Sequence, residues 1–271
     1  MNTTSPAELT ALLAPLRHEP EATALLCDVD GTLAPIVGDP ADARVPESTR
    51  EALRDAARWF AFVACVTGRP ALEARYMVGV EELTYAGNHG LELLEPASGE
   101  VTLDASVTDA ERAGEFVRGL PALELAEIGL RIEDKGPIQA IHWRGAKDDR
   151  AAEMRARELA GEAEAEGLVP RWGRKVVELR PPAEVDKGVA SERLVRKSGA
   201  RHALFAGDDL TDLDAFGALR RLAEEGTLEH AICIGVASDE APERLWDESD
   251  AIVGGTEGFA LALRKLVGAA S

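Results

Sequence analysis

The sequence predicts an α/β fold: a doubly wound parallel-sheet core with a smaller α+β domain inserted into it. Three observations carry this reading. At both ends of the chain, unbroken apolar runs rich in β-formers alternate with helical patterns, as in parallel strands covered on both faces. From about residue 102 to residue 182 the rhythm changes, and apolar and polar residues alternate as in strands with one open face. The unbroken strands then return. These boundaries place the core at 1–103 and 183–271 and the inserted cap-like domain at 104–182.

The elements follow in order. The stretch MNTTSPAELTALLAPLRHEP reads as a short amphipathic helix, and ATALLCDVD as the first buried strand. PESTREALRDAARW is a helix with Pro46 near its start. FAFVACVTG is the second strand, PALEARYMV a helix and ELTYAGNHG the third strand. The insert runs helix, strand, strand, helix, strand, strand. IGLRIEDKG and PIQAIHWRG form a hairpin about a Lys-Gly-Pro turn. KDDRAAEMRARELAGEAEAEG is a helix with a solvated charged face, and LVPRWG and KVVELRPP are strands. The core resumes with helix KGVASERLVRKSG, strand HALFAGDD, helix TDLDAFGALRRLAEEG, strands HAICIGVA and DAIVGG, and a last helix TEGFALALRKLVG.

Composition narrows the classes of function. Hydrophobic residues make up 45% of the 271, and no apolar run approaches the ~18 residues of a membrane span. The N-terminus lacks the basic start and cleavage site of a signal peptide, so a cytoplasmic protein is expected. The net charge of −19 disfavours nucleic acid and anionic membranes as partners. It also opposes phosphorylated substrates at long range, so a site for one needs local positive charge. Cys27, Cys65 and Cys233 sit in strand-like apolar runs and read as core residues, not as a disulfide framework.

In open parallel sheets, ligands sit beyond the carboxyl ends of the strands. Those ends read Asp28-Val29-Asp30-Gly31-Thr32, Thr67-Gly68-Arg69, Gly87-Asn88-His89-Gly90 and Gly207-Asp208-Asp209, with Asp212 one helical turn on. Lys187 and Gly188 open the helix before the last of these strands. Asp-x-Asp-Gly alone also suits an ordinary turn. Three acidic clusters at one sheet edge cannot all ionise in a dry site without compensation. A hard divalent cation resolves this, so Asp28, Asp30 and Asp208 are expected to hold Mg²⁺.

DVDGT, VTG, the Lys-Gly pair and GDDLTD resemble, in order, the four motifs of the haloacid dehalogenase superfamily of phosphotransferases. The resemblance implies a Rossmann-like hydrolase core in which Asp28 attacks phosphorus to give an aspartyl phosphate. Asp30 would protonate the leaving oxygen and then activate water. Thr67, Lys187, the backbone N–H groups after Asp28 and Mg²⁺ would oppose the phosphoryl charge. Asp209 and Asp212 would stand behind the ligands, orienting metal-bound water and Lys187.

Within that superfamily, DVDGTLAPI, YAGNHGLE, the IEDKG and HWR pair, KVVELRP and GDDLTDLDAF resemble the trehalose-6-phosphate phosphatase family. This implies Mg²⁺-dependent hydrolysis of a sugar phosphate, with the insert as a cap closing over the disaccharide. By the same resemblance, Glu133, Lys135 and Glu178 grip the sugar. Glu133 and Lys135 share a strand face, as do Glu178 and Arg180. The first two would equally suit an exposed surface pair. Arg144, Lys175, Asn88 and His89 are expected nearer the phosphate or a hinge, and Arg69 on the phosphate or bracing a loop. His89 also suits a turn, His142 suits a structural role as well as a ligand role, and Trp143 and Trp172 are expected to pack under the cap sheet, with sugar stacking as the alternative. Leu213 stands where the family usually has Glu, and Val29 where an aromatic is frequent; no catalytic position is lost. Phosphatases of sucrose phosphate or of glucosyl- or mannosyl-phosphoglycerate, a phosphomutase, and a non-catalytic sugar-phosphate-binding regulatory module stay open as alternatives. The implied partners are a small-molecule sugar phosphate and, as a separate chain, a trehalose-phosphate synthase; a monomer is the default assembly.

Overall fold

The computed structural model describes residues 3–37, 42–238 and 241–268. The chain divides into two compact units, Met1–Thr102 with Val185–Ser271, and Leu103–Glu184. In chain order it begins α1 (Pro6–His18), β1 (Thr23–Cys27), α2 (Glu47–Trp59), β2 (Phe62–Val66), α3 (Ala71–Val78), β3 (Thr84–Gly87), β4 (Glu92–Leu94) and β5 (Thr102–Leu103). The smaller unit holds α4 (Arg112–Arg118), α5 (Ala122–Glu127), β6 (Arg131–Asp134), β7 (Gln139–His142), α6 (Asp149–Ala165), β8 (Val169–Gly173) and β9 (Val176–Arg180). The larger unit resumes with α7 (Lys187–Ser198), β10 (His202–Gly207), α8 (Asp212–Glu224), β11 (His230–Ala237), α9 (Glu243–Asp247), β12 (Ala251–Gly254) and α10 (Gly255–Val267).

The sheet of the larger unit has the order β12-β11-β10-β1-β2-β3-β4-β5. From β12 through β3 every neighbouring pair is parallel. Strand β1 is the pivot: later strands add through β2 and β3 on one side and through β10 to β12 on the other. The order reverses between β1 and β10, and the carboxyl ends of these two strands flank the crevice that such a reversal opens. Alternation along β1 explains its unbroken apolar sequence. Leu25 and Cys27 face the core formed with Leu9, Leu13 and Leu16 of α1, Leu53 of α2 and Leu263 of α10. Ala24 and Leu26 face the opposite core, with Leu194 of α7 and Phe216 and Leu219 of α8. Helix α1 starts in a capping box between Ser5 and Glu8 and buries Leu9, Leu13 and Leu16 as one stripe. The three cysteines are free and buried. Leu213 is also buried, in the α7/α8 core, so its effect is on packing.

The sheet is not wholly parallel. Strand β4 pairs antiparallel with β3, returning directly after the turn at Asn88–Gly90. In the smaller unit a four-stranded sheet, β6-β7-β9-β8, is antiparallel throughout. Ile141, Val177 and Leu179 pack on Ala152, Ala156 and Leu159 of α6. The other face carries polar residues: register aligns Glu133, Ala140, Glu178 and Arg171 in one row across all four strands. In place of one helix before the hairpin there are two short ones, because Gly119 and Pro121 interrupt the run. Trp143 and Trp172 meet edge to face at 6.2 Å, and the Arg157 guanidinium covers Trp172. Among the described residues, no helix is long and apolar enough to cross a membrane.

Candidate active site

The backbone after β1 delivers Asp28 to the reversal point. Its N–H donates to the Ala206 carbonyl of β10 at 2.9 Å, so Asp28 prolongs the β1–β10 pairing by one residue. The chain then turns sharply at Gly31, which has φ +81°. A Cβ there would lie 2.0 Å from an oxygen of Asp208, the first residue after β10. At Gly207 a Cβ would lie 2.2 Å from the Asp212 carboxyl carbon. Both glycines are therefore required by carboxylates pressed against the backbone.

Lys187, the first residue of α7, is buried and binds two of these acids. Its Nζ donates to Asp28 Oδ1 at 2.8 Å and to Asp212 Oδ1 at 2.7 Å. The other Asp212 oxygen accepts from the backbone N–H groups of Asp208 and Asp209, at 2.9 and 3.0 Å. Asp212 thus ties the lysine to the loop after β10. The Asp209 carboxylate accepts from the Leu210 N–H at 2.6 Å. Burial, with Asp212 and Asp30 nearby, pushes the Asp28 carboxyl up to about 7 against the pull of Lys187. Burial and the charges of Asp28 and Asp212 push Asp208 up to about 9. Burial works against the Lys187 ammonium, but Asp212 and Asp28 outweigh it and hold its pKa above the usual value.

Asp28, Asp208 and Asp212 offer carboxylate oxygens within 4.8 Å of one another. Asp208 Oδ1 is buried and has no hydrogen-bond partner. A buried, partnerless carboxylate oxygen beside two further acids fits a divalent cation. The Asp30 carboxylate stands apart from these three. It turns to Arg69, which holds it with two parallel bonds, Nε to Oδ2 at 2.6 Å and Nη2 to Oδ1 at 2.7 Å. Arg69 Nη1 also donates to Glu73. A guanidinium steadies the second aspartate of the pair.

These shifts make stability depend on pH. The folded-state pKa values of Asp28 and Asp208 lie above those of unfolded aspartates. Their contribution is therefore complete below about pH 4 and is lost as pH rises through about 7 and 9. The chelated protein should melt at lower temperature at pH 9 than at pH 5, with a divalent cation restoring most at the alkaline end. Asp208→Asn should flatten the slope. A melting temperature that rises over this range in EDTA contradicts the assignment.

The other sequence-predicted residues divide. Thr67 is buried after β2, and its hydroxyl accepts from the Arg69 N–H at 3.2 Å. Asn88 and His89 both have left-handed backbone, φ 48° and 58°. Asn88 is fully buried, and its amide donates to Glu92 Oε1 at 2.8 Å. The half-buried His89 lies over Gly68, where a Cβ would come within 2.8 Å of its Nε2. In the smaller unit, Lys135 Nζ donates to Glu178 Oε1 at 2.9 Å, and Arg180 Nη2 to Glu178 Oε2 at 2.6 Å. Glu133 bonds His142 Nε2 at 2.6 Å, and this bond holds its carboxyl below the usual range despite partial burial. Glu133, Lys135 and Glu178 thus share the polar face, joined there by Arg180 and His142. Lys175 is not part of this group: left-handed at φ 59°, it pairs with Asp149 in the first turn of α6. Arg144 is exposed in the turn after β7.

A doubly wound core interrupted by a smaller α+β unit, with acids and a lysine gathered at its sheet reversal, is a fold shared with a solved haloacid dehalogenase-like hydrolase of Bacteroides thetaiotaomicron, at a TM-score of 0.62 and 15% identity over 91% of this chain and 100% of that one. Residues 26–248 match the family model for trehalose-phosphatase, and the chain belongs to that family. It is 33% identical over 204 residues to the probable trehalose-phosphate phosphatase 4 of Oryza sativa subsp. japonica, covering 73% of this chain and 55% of that one. To a trehalose-phosphate phosphatase of Mycolicibacterium paratuberculosis it is 38% identical over 208 residues, covering 73% and 51%. The chain thus spans about half the length of these curated relatives. The solved C-terminal domain of the C. albicans trehalose-6-phosphate phosphatase shares the fold, with a TM-score of 0.75 at 21% identity over 99% of each chain.

Proposed function

We propose that the chain is a Mg²⁺-dependent phosphatase that hydrolyses trehalose-6-phosphate to trehalose and phosphate. The observation that carries this is the buried Lys187 bridging Asp28 and Asp212 beside the partnerless Asp208 oxygen. Such a cluster neutralises an incoming phosphoryl group only with further positive charge. Asp28, Asp208 and Asp212 would hold the Mg²⁺, whose chemistry is to offset charge on the phosphoryl oxygens.

In the proposed reaction an Asp28 oxygen forms the new bond to phosphorus as the bond from phosphorus to the sugar oxygen breaks. Asp30 gives its proton to that oxygen. Water then attacks phosphorus, Asp30 takes the water's proton, and the Asp28–phosphorus bond breaks to release phosphate. Lys187 and the Thr67 hydroxyl sit where they can oppose the charge on the transferring group. Arg69 holds the Asp30 carboxylate in a fixed orientation, and Asp30 must loosen one of these two bonds to carry the proton it gives. Glu133, Lys135 and Glu178 are the proposed sugar contacts, with His142 and Arg180 setting the directions of the two glutamates.

The test is phosphate release with Mg²⁺ from trehalose-6-phosphate, sucrose-6-phosphate, glucosyl-phosphoglycerate and glucose-6-phosphate, with EDTA as control. The expected result is selective release from the first, lost on chelation. Metal-dependent release from another sugar phosphate keeps the core chemistry and overturns the sugar assignment. No release from any of them favours a sugar-phosphate-binding module.

A second expectation concerns the sugar. Glu133→Ala should lower kcat/KM on trehalose-6-phosphate by about 10- to 100-fold, the equivalent of about 1.5–3 kcal/mol for a hydrogen bond to a charged group. Turnover of p-nitrophenyl phosphate should change far less. Equal losses on both substrates rule out a sugar contact at this residue.

A further inference from the structure

We infer that Glu92 is a positioning residue: it sets the loop that places Arg69 on Asp30. The inference rests on the phosphatase reading for its kinetic effect, but its structural content stands apart from it.

Glu92 opens β4 directly opposite Gly87, the last residue of β3. It is buried, with 7% of its surface exposed, a place where a glutamate is rare unless its oxygens are partnered. Burial raises its pKa, opposed by the bonds it accepts from Ala71 and Asn88. Both carboxylate oxygens are used. Oε2 accepts from the N–H of Ala71, the first residue of α3, at 2.7 Å. Oε1 accepts from the Asn88 amide at 2.8 Å. The residue before Ala71 is Pro70, which supplies no side-chain cap, so Glu92 satisfies a helix-start donor from a distant strand. The approach depends on Gly87, where a Cβ would lie 2.3 Å from the Ala71 nitrogen.

The two groups that Glu92 grips both hold the Arg69–Pro70 end of the segment Thr67–Pro70. Ala71 follows it directly. Asn88 is bonded to it through its backbone, donating to the Arg69 carbonyl at 2.8 Å, while the His89 N–H donates to the Thr67 carbonyl at 2.8 Å. Asn88 and His89 hold these bonds only in the left-handed conformation, which is unfavourable for side chains of L-residues unless local contacts enforce it. The bond from Asn88 to Glu92 is such a contact. One carboxylate thus ties down, directly at Ala71 and through Asn88 at Arg69, the stretch whose side chain holds the proposed acid and base. A displacement of about 1 Å at a reacting group lowers a rate by on the order of 100-fold.

Glu92→Ala strands a buried N–H and is at risk of not folding, so the decisive variant is Asn88→Asp. It sets a second carboxylate against Glu92 in place of a donor. In that background Glu92→Gln restores the match, because the introduced amide can donate to the introduced carboxylate while its oxygen still accepts from Ala71. Phosphate release from trehalose-6-phosphate should fall in kcat by on the order of 100-fold in N88D. The N88D/E92Q protein should recover at least about 10-fold of it. In an Arg69→Ala background, N88D should lower kcat by less than about 2-fold, because both act through the same contact. Full additivity with Arg69→Ala, or no recovery in N88D/E92Q, overturns the inference. A crystal structure of N88D reads the same point without turnover: Arg69 should leave hydrogen-bond distance of Asp30. An Arg69 that keeps both bonds overturns the inference, whatever substrate the enzyme takes.

Discussion

Asp28→Asn is expected to abolish phosphate release and leave the fold intact. The amide has the shape of the carboxylate, and its oxygen can still accept from Lys187, so the packing at the end of β1 is kept. What it lacks is an oxygen able to bond phosphorus and leave again. Removal of a covalent nucleophile in enzymes that use one leaves only binding and electrostatic assistance, so the expected loss is at least about 10,000-fold. Stability should move the other way. Burial already pushes the Asp28 carboxyl up to about 7, which means its charge is unwelcome in the metal-free fold. A neutral side chain there should leave the melting temperature in EDTA equal to or above that of the natural chain at pH 8. Undiminished phosphate release from pure Asp28→Asn protein would show that the nucleophile lies elsewhere.

Lys187→Met is expected to damage both fold and activity. The ammonium is 3% exposed and touches Asp28 and Asp212 at hydrogen-bond distance. Breaking a buried ion pair by removing one partner destabilises by about 3–5 kcal/mol, because the remaining charge is left without compensation. Here two carboxylates are left. The loss should shrink at low pH, where Asp28 takes up a proton, and on adding Mg²⁺, which substitutes for the missing charge. Turnover should fall by about 100- to 1,000-fold even at saturating Mg²⁺, the scale for one charge-stabilising donor. Urea unfolding at pH 5 and pH 8, with and without Mg²⁺, separates these contributions. A variant within about 1 kcal/mol of the natural chain under all four conditions, a margin typical of surface positions, would mean that Lys187 is not the compensating charge.

The parts of the fold and site that could be read from the sequence are those set by short stretches. Strand β1 is buried at every position and apolar after Thr23 because both of its faces are covered, and that pattern needs only five residues to show. Asp28, Asp208 and Lys187 were legible because each stands at the end of a strand or the start of a helix, where chain direction alone fixes the edge of the sheet. Strand β4 was not legible: it has three residues and reverses through a turn in which Asn88 and His89, not Gly90 alone, take positive φ. The role of Asp30 was only half legible. Its partner Arg69 lies on another strand's loop, and nothing local to either residue specifies that the two carboxylate oxygens meet one guanidinium. The setting of Asn88 was hidden for the same reason. A polar residue at a strand end suggests a ligand, yet the burial of this one is decided by Glu92, whose carboxylate reaches across from the neighbouring strand. Glu133 and His142 meet across a hairpin, a neighbour relation that register determines and composition does not.

Lys187 enters the acid cluster two positions after Val185, where the larger unit resumes. Asp28, Asp30, Thr67, Arg69, Asp208 and Asp212 belong to that same unit. The groups assigned here to bond breaking are thus encoded outside residues 103–184, and those assigned to the sugar inside them. For evolution this is a modular arrangement. New substrate ranges can arise by exchanging or reshaping the inserted stretch as a cassette, with selection on the chemistry held constant in the flanking segments.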